Sequence, residues 1–322
     1  MVARNNPREI YLVREYDAPI DAVWEAWTDV EQVAKWWGPR GFTLTTHSKD
    51  LRPGGIWHYT MHGPDGVDYP NKTLYHEVVE REKLVYDHGG YDDRPPLFRV
   101  TVNFSEVDGK TNMEMSMVLP TAEEAEATRK FIKEVGGFST WDRLAEYLSE
   151  TENGKNCFVI NRSFEAPIEQ VFEMWTNPEH LANWLPPSGM KMTWLRKELF
   201  ENGSCFFSMS NGEDFTLYAQ FQFVEINQPN RVVYLQRFCD ANENITCHPA
   251  METFPSELRT TVLLAAECQQ STRVTVISET LENVIESELG AFRQARTGMT
   301  QGWTGSFDKL EDLLRTDSED NS

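Results

Sequence analysis

The residues best suited to acid–base or metal chemistry are unevenly distributed. His47, His58, His62, His76 and His88 fall in the first half of the chain, and His180 and His248 in the second. His58 and His62 are four apart, a spacing that puts two ligands on one face of a metalloprotease helix. The residues around them alternate as a strand does, so that spacing does not bring the imidazoles together and no metal site is expected. On strands, His58, His76 and Tyr69 are instead candidates for a general acid or base facing a cavity. Cys247 and His248 are neighbours whose side chains diverge on most backbones, which argues against a nucleophilic dyad. Phosphate loops, serine-nucleophile elbows, zinc spacings and dinucleotide fingerprints are absent, so no cofactor is expected and binding is favoured over catalysis.

The formal charge of −21 over 322 residues argues against nucleic acid and against an anionic membrane surface, both of which call for a basic face. No apolar run approaches the roughly 18 residues of a span, and the first ten residues lack the order of a signal peptide, so a cytoplasmic protein without membrane insertion is expected. The five cysteines, Cys157, Cys205, Cys239, Cys247 and Cys268, form no CxxC pair and are expected as reduced thiols.

The elements that must position such residues occur twice. Residues 16–28, YDAPIDAVWEAWT, return as residues 164–176, FEAPIEQVFEMWT, at an offset of 148. The register carries Trp36 onto Trp184, Gly55 onto Gly203 and Tyr86 onto Tyr234. A period that long implies two complete domains, over 1–150 and 156–316, with a polar linker between them and a disordered acidic tail over 317–322. From Tyr86/Tyr234 to Arg99/Arg259 the offset grows to 160, which predicts an expanded loop in the second copy, read as a lid.

Within one copy, 10–16 reads as a strand, Ile20, Val23, Trp24 and Trp27 as a helical stripe after Pro19, and 30–37 as a second short helix stopped by Gly38-Pro39. Residues 42–118 alternate with period two between Gly-containing turns, predicting about six more antiparallel strands, with Met113, Met115 and Met117 on one apolar face. Residues 121–149 open on a capping-box pattern, Thr121 to Glu124, and predict a long closing helix, with a kink or break at Gly136-Gly137. Gly298, Gly302 and Gly305 fall in the same region of the second copy.

This order of elements, the Ala-Pro-Ile-x-x-Val-aromatic-x-x-Trp-Thr stretch, Trp36-Trp37-Gly38-Pro39 and the Pro53-Gly54-Gly55 turn together resemble the SRPBCC superfamily of START and Bet v-like helix-grip proteins. Within it the chain is most similar to the domain named for homologues of the activator of the ninety-kilodalton heat-shock chaperone's ATPase. The resemblance implies an α+β fold: two tandem helix-grip domains, each a curved antiparallel sheet of about seven strands wrapped round a C-terminal helix. It also implies an apolar cavity between sheet and helix for lipids, hormones, polyketides or other hydrophobic molecules.

Mapped onto this sequence, the implied cavity residues are Trp36, Trp37, Trp57, Tyr59, Tyr75, Phe98, Met113, Met115, Phe138 and Trp141, with Trp184, Phe207 and Tyr218 in the second copy. The expected function is binding or carriage of a small hydrophobic molecule, in stress or toxin resistance. The alternatives are a cyclase or dehydratase on a polyketide-like substrate, with Tyr59 also a candidate acid or base, and a co-chaperone-like module whose surface meets a protein partner such as a chaperone. Replacement of Trp37, Trp57 and His58 by Leu185, Cys205 and Phe206 suggests fewer polar handles in the second copy.

Overall fold

The computed structural model describes residues 6–134, 139–152 and 157–320. The chain divides into two compact units, Met1–Glu152 and Asn153–Ser322. The first comprises β1 (Glu9–Tyr16), α1 (Ile20–Thr28), α2 (Val30–Trp36), β2 (Thr43–Lys49), β3 (Ile56–His62), β4 (Asp68–Val79), β5 (Lys83–Gly90), β6 (Phe98–Val107), β7 (Lys110–Val118), α3 (Ala122–Glu134) and α4 (Ser139–Glu152). Its seven strands form one antiparallel sheet in the order β1-β7-β6-β5-β4-β3-β2.

Local chemistry sets these limits. Pro19, at φ −65°, is already in helical range and stands as the N-cap of α1, while Glu106 accepts a hydrogen bond from the Ile20 N–H at 2.7 Å. Asp29 caps α2 by accepting from the amides of Glu31 and Gln32 at 3.0 and 2.9 Å. Gly38 then turns the chain away at φ +98°, a conformation that β-carbons disfavour. The Trp36 indole N–H donates to the Ala26 carbonyl at 2.9 Å and locks α2 onto α1. The Thr121 hydroxyl accepts from the Glu124 amide at 3.1 Å and opens α3. Gly136-Gly137, where a kink or break was expected, lies outside the described residues.

The alternation across β7 places Met113, Met115 and Met117 inside, facing the helices, while Asn112, Glu114 and Ser116 turn outward. Register shifts at Thr46/Ser48 against β3 and at Lys72/Leu74 and Tyr75/Glu77 against β5 interrupt the pleat, which bends strands. At Gly55 an added Cβ would lie 2.1 Å from the Asp50 carbonyl oxygen, so this turn requires glycine.

The second unit repeats the plan: β8 (Cys157–Phe164), α5 (Ile168–Thr176), α6 (Pro178–Trp184), β9 (Lys191–Lys197), β10 (Ser204–Ser210), β11 (Thr216–Asn227), β12 (Arg231–Cys239), β13 (Glu257–Cys268), β14 (Ser271–Thr280) and α7 (Glu286–Asp320). Strand order is β8-β14-β13-β12-β11-β10-β9. The fastenings are repeated too. Trp184 donates to the Met174 carbonyl at 2.9 Å as Trp36 does to Ala26, and Thr272 donates to Ala166 at 2.8 Å as Thr111 does to Ala18.

The closing helix differs. α7 is continuous through Gly298, Gly302 and Gly305. Gly305 makes room for a neighbour, since a Cβ there would meet the Ser188 hydroxyl at 3.1 Å. Residues 317–320, read from sequence as tail, are placed in the last turn of α7, and 321–322 lie outside the described residues. Both units are α+β helix-grip domains.

Candidate functional site

In the first unit a cavity of about 170 Å³ lies between sheet and helices. β5 contributes Tyr86 and His88, β6 Phe98 and Val100, β7 Met115 and Met117, and β3 Met61. Trp37, Gly38 and Pro39 after α2, Ile132 of α3, and Thr140 and Trp141 of α4 complete it. The wall is almost wholly apolar and aromatic, with three flexible methionine thioethers. An engineered apolar cavity of about 150 Å³ in another protein holds benzene, so this volume suits one aromatic ring with small substituents.

His88 is the one histidine among the residues that line this wall. Its ring stacks on Phe98 at 5.3 Å and meets Trp37 at 6.2 Å. Nδ1 makes a long contact of 3.5 Å with the Tyr59 hydroxyl, while Nε2 has no hydrogen-bond partner among the described residues. Burial, helped by the charge of Arg94, lowers the His88 pKa to about 4, so the imidazole is neutral at pH 7. Burial also pushes the Tyr59 hydroxyl up to about 12 and Tyr86 well above its usual range, keeping both protonated.

This yields a pH prediction. The unfolded chain takes up a proton on this histidine near pH 6.5, whereas the folded unit resists until about pH 4. Stability is therefore full above pH 6.5 and falls as the pH drops towards 4, by up to about 3 kcal/mol. Urea titrations of wild type and His88→Leu at pH 7 and pH 4.5 should show a smaller acid-dependent loss in the variant. Equal losses would contradict the assignment.

Of the residues mapped from the resemblance, Trp37, Phe98, Met115 and Trp141 line the cavity. Trp57 and Tyr59 stack on each other at 4.1 Å behind Trp37, and Tyr75 packs on Tyr86 at 6.1 Å, so these three back the wall rather than form it. Trp36 is fully buried on α1, and Met113 sits beneath the Tyr16 hydroxyl at 4.0 Å. Phe138 lies outside the described residues.

The acid–base candidates lie elsewhere. His58 turns to the outer face, against His47 at 4.7 Å and Tyr91. His76 shares Asp87 with Arg99, its Nε2 2.7 Å from the carboxylate. Arg99 first, and then His76, hold the Asp87 carboxyl below its ordinary range. Tyr69 is exposed beside Phe42 at the start of β4. His88 was missed among the candidates, although the alternation Leu84, Tyr86, His88 marks it as inward-facing.

The rim is held by a buried charge cluster. Arg40 and Glu146 form a bidentate ion pair with side chains 14% and 11% exposed. Arg143, one turn before Glu146 on α4, donates to the carbonyls of Gly38 and Pro39 at 2.8 and 3.0 Å. Burial, followed by the nearby charge of Arg40, lowers its pKa to about 10, with Glu146 opposing the shift. Two cavity-lining backbone positions are thus tied to the helix that carries Trp141.

Strand pairing aligns Val100 and Met117 with Thr260 and Ser278 of the second unit, whose buried hydroxyls lie 3.2 Å apart. That unit therefore loses Trp37, Trp57 and His88, for Leu185, Cys205 and Gln236, but adds interior hydroxyls that the sequence comparison had not singled out. Trp184 and Phe207 are buried in its core, Phe207 against Phe221 at 4.7 Å, whereas Tyr218 stacks on Phe206 at 6.1 Å. The expanded loop, residues 240–256, sends Phe254 into that core, 5.9 Å from Phe238 and 6.0 Å from Phe292 of α7. Cys205 and Cys239 are buried free thiols, Cys247 is an exposed one, and Cys157 is buried on β8.

Among the described residues no three His, Cys, Asp or Glu side chains gather as a metal site, and no helix is long and apolar enough to cross a membrane. A search of curated proteins finds no match. Among solved structures, protein NE0264 from Nitrosomonas europaea is 22% identical, with a TM-score of 0.42 over 47% of this chain and 99% of that one. A Staphylococcus epidermidis protein solved by NMR is 25% identical, with a TM-score of 0.42 over 47% of this chain and 95% of that one. The di-domain ARO/CYC BexL from the BE-7585A biosynthetic pathway aligns over 95% of this chain and 98% of its own, at 12% identity and a TM-score of 0.40. The family described as Activator of Hsp90 ATPase homolog 1-like protein matches residues 17–149 and again residues 165–315, so the chain belongs to that family through both of its units.

Proposed function

We propose that the first unit binds a small, uncharged hydrophobic molecule in the cavity between its sheet and closing helices, so as to carry or sequester it. The supporting observation is the space of about 170 Å³, partly open to solvent, walled by Trp37, Phe98, Met115 and Trp141. Burying a ring of about 100 Å² apolar area there would contribute on the order of 2–3 kcal/mol before the costs of immobilising it. Native mass spectrometry of the untreated full chain should retain an added mass, and small arenes should raise the melting temperature. Absence of both effects would overturn this reading.

A second reading, acid–base catalysis of the cyclase or dehydratase type on a polyketide-like substrate, draws on neutral His88 beside Tyr59. It would place the chemistry at His88 rather than at His58, His76 or Tyr69. Turnover that is lost in His88→Leu while ligand affinity persists would favour it.

A further inference from the structure

β5 presents two polar groups to an otherwise apolar space. Tyr86 and His88 are two residues apart on the same face of the strand, about 7 Å by strand rise, and both line the cavity. Neither the Tyr86 hydroxyl nor His88 Nε2 has a hydrogen-bond partner among the described residues. His88 lies deep in the unit yet keeps part of its surface open, and that surface belongs to the cavity wall. Neither atom is sealed in packed protein; both keep surface on the side of the cavity, so each is available to bond whatever occupies it, ligand or water.

The electrostatics narrow the choice. Tyr86 stays protonated and His88 stays neutral at pH 7. The wall carries no side-chain charge to receive an anion, and an ionised carboxylate would be desolvated there without a counter-ion. A hydroxyl, by contrast, can accept from one of these groups and donate to the other. Stacked Phe98 and His88 on one side, and Trp37 and Trp141 elsewhere in the wall, favour a flat aromatic body.

Resting on the cavity-binding reading above, we propose that the ligand is an uncharged, single-ring phenol whose hydroxyl is held by Tyr86 and His88. The two side chains thereby select among molecules of equal size. The second unit has Tyr234 and Gln236 at these positions, so the tyrosine–histidine pair is not repeated there.

The test is calorimetric titration of the full chain with 4-methylphenol, toluene and benzoate at pH 7. Wild type should bind 4-methylphenol at least as tightly as toluene, despite the hydration of the hydroxyl, and should not bind benzoate. Tyr86→Phe, which removes one oxygen, and His88→Leu should each lower the ratio of 4-methylphenol to toluene affinity about five- to tenfold while toluene still binds. Toluene binding with a ratio unchanged in both variants, or benzoate binding as tightly as the phenol, would overturn this inference and leave the cavity-binding reading intact. Failure of wild type to bind either neutral arene would overturn both. Melting curves of Tyr86→Phe guard against loss of folding as the cause, since its shape is retained.

Discussion

Glu146→Gln is expected to destabilise the first unit by about 3–5 kcal/mol, the usual cost of removing one partner from a buried ion pair. Glu146 closes a bidentate pair with Arg40, and its carboxylate also offsets the burial of Arg143. Amidation would leave the Arg40 and Arg143 guanidiniums near each other in a poorly solvated pocket, with the charge of Asp142 still acting on Arg40. Arg143 could then retreat from the carbonyls of Gly38 and Pro39, so the cavity rim would loosen as well. The measurement is urea unfolding followed by tryptophan fluorescence, with hydrogen exchange used to locate the loss in the first unit. A loss below about 1 kcal/mol would mean that the pair behaves as a solvated surface bridge. The double change Arg40→Met with Glu146→Leu should recover part of the stability, because it removes the two charges of the pair together and leaves neither of them buried alone. The second unit has Ser188 and Gly305 at the positions of Arg40 and Arg143, so no comparable loss is expected from substitutions there.

Trp141→Ala should cost about 3–5 kcal/mol and change which ligands fit. The indole stacks on Trp27 at 5.6 Å and 12°, touches Trp36 and Trp37, and forms part of the cavity wall. Its loss would merge the space it occupied with the existing cavity. Two-ring arenes such as naphthalene should then gain affinity relative to toluene, by about tenfold if one further ring face is buried. Chemical denaturation gives the first number and competition titration the second. An unchanged size preference in a folded Trp141→Ala protein would argue that ligands bind elsewhere.

The fold was legible because its signals are local or repeated. Pro19 and Asp29 set helix starts, Gly38 and Gly55 enforce turns, and the alternation of Met113, Met115 and Met117 declares one buried face. Each of these depends on a few neighbouring residues, and the second copy provides an independent statement of the same pattern. The candidate site was less legible. Trp36 and Trp37 are adjacent in sequence, yet one is fastened to the Ala26 carbonyl and the other lines the cavity. Their residue type is the same, and only their direction on leaving α2 separates them. His58, His76 and His88 are likewise three strand histidines. Period two places the first two outward and the third inward, but which face encloses empty space depends on how the helices settle.

Taken alone, the sequence determined that the chain holds two copies of one α+β domain, where the first strand and the two short helices lie, and which strand faces are apolar. These follow from backbone geometry, side-chain periodicity and a repeated register. The tertiary structure decided what contacts across long sequence separations can decide: that a cavity remains beneath Trp37 and Trp141, that His88 and Tyr86 open onto it, and that Arg40, Arg143 and Glu146 brace its rim. It also decided that the added loop of the second unit drives Phe254 into the core. A cavity is space left unfilled when elements far apart in the chain meet, so no single stretch of residues can specify it.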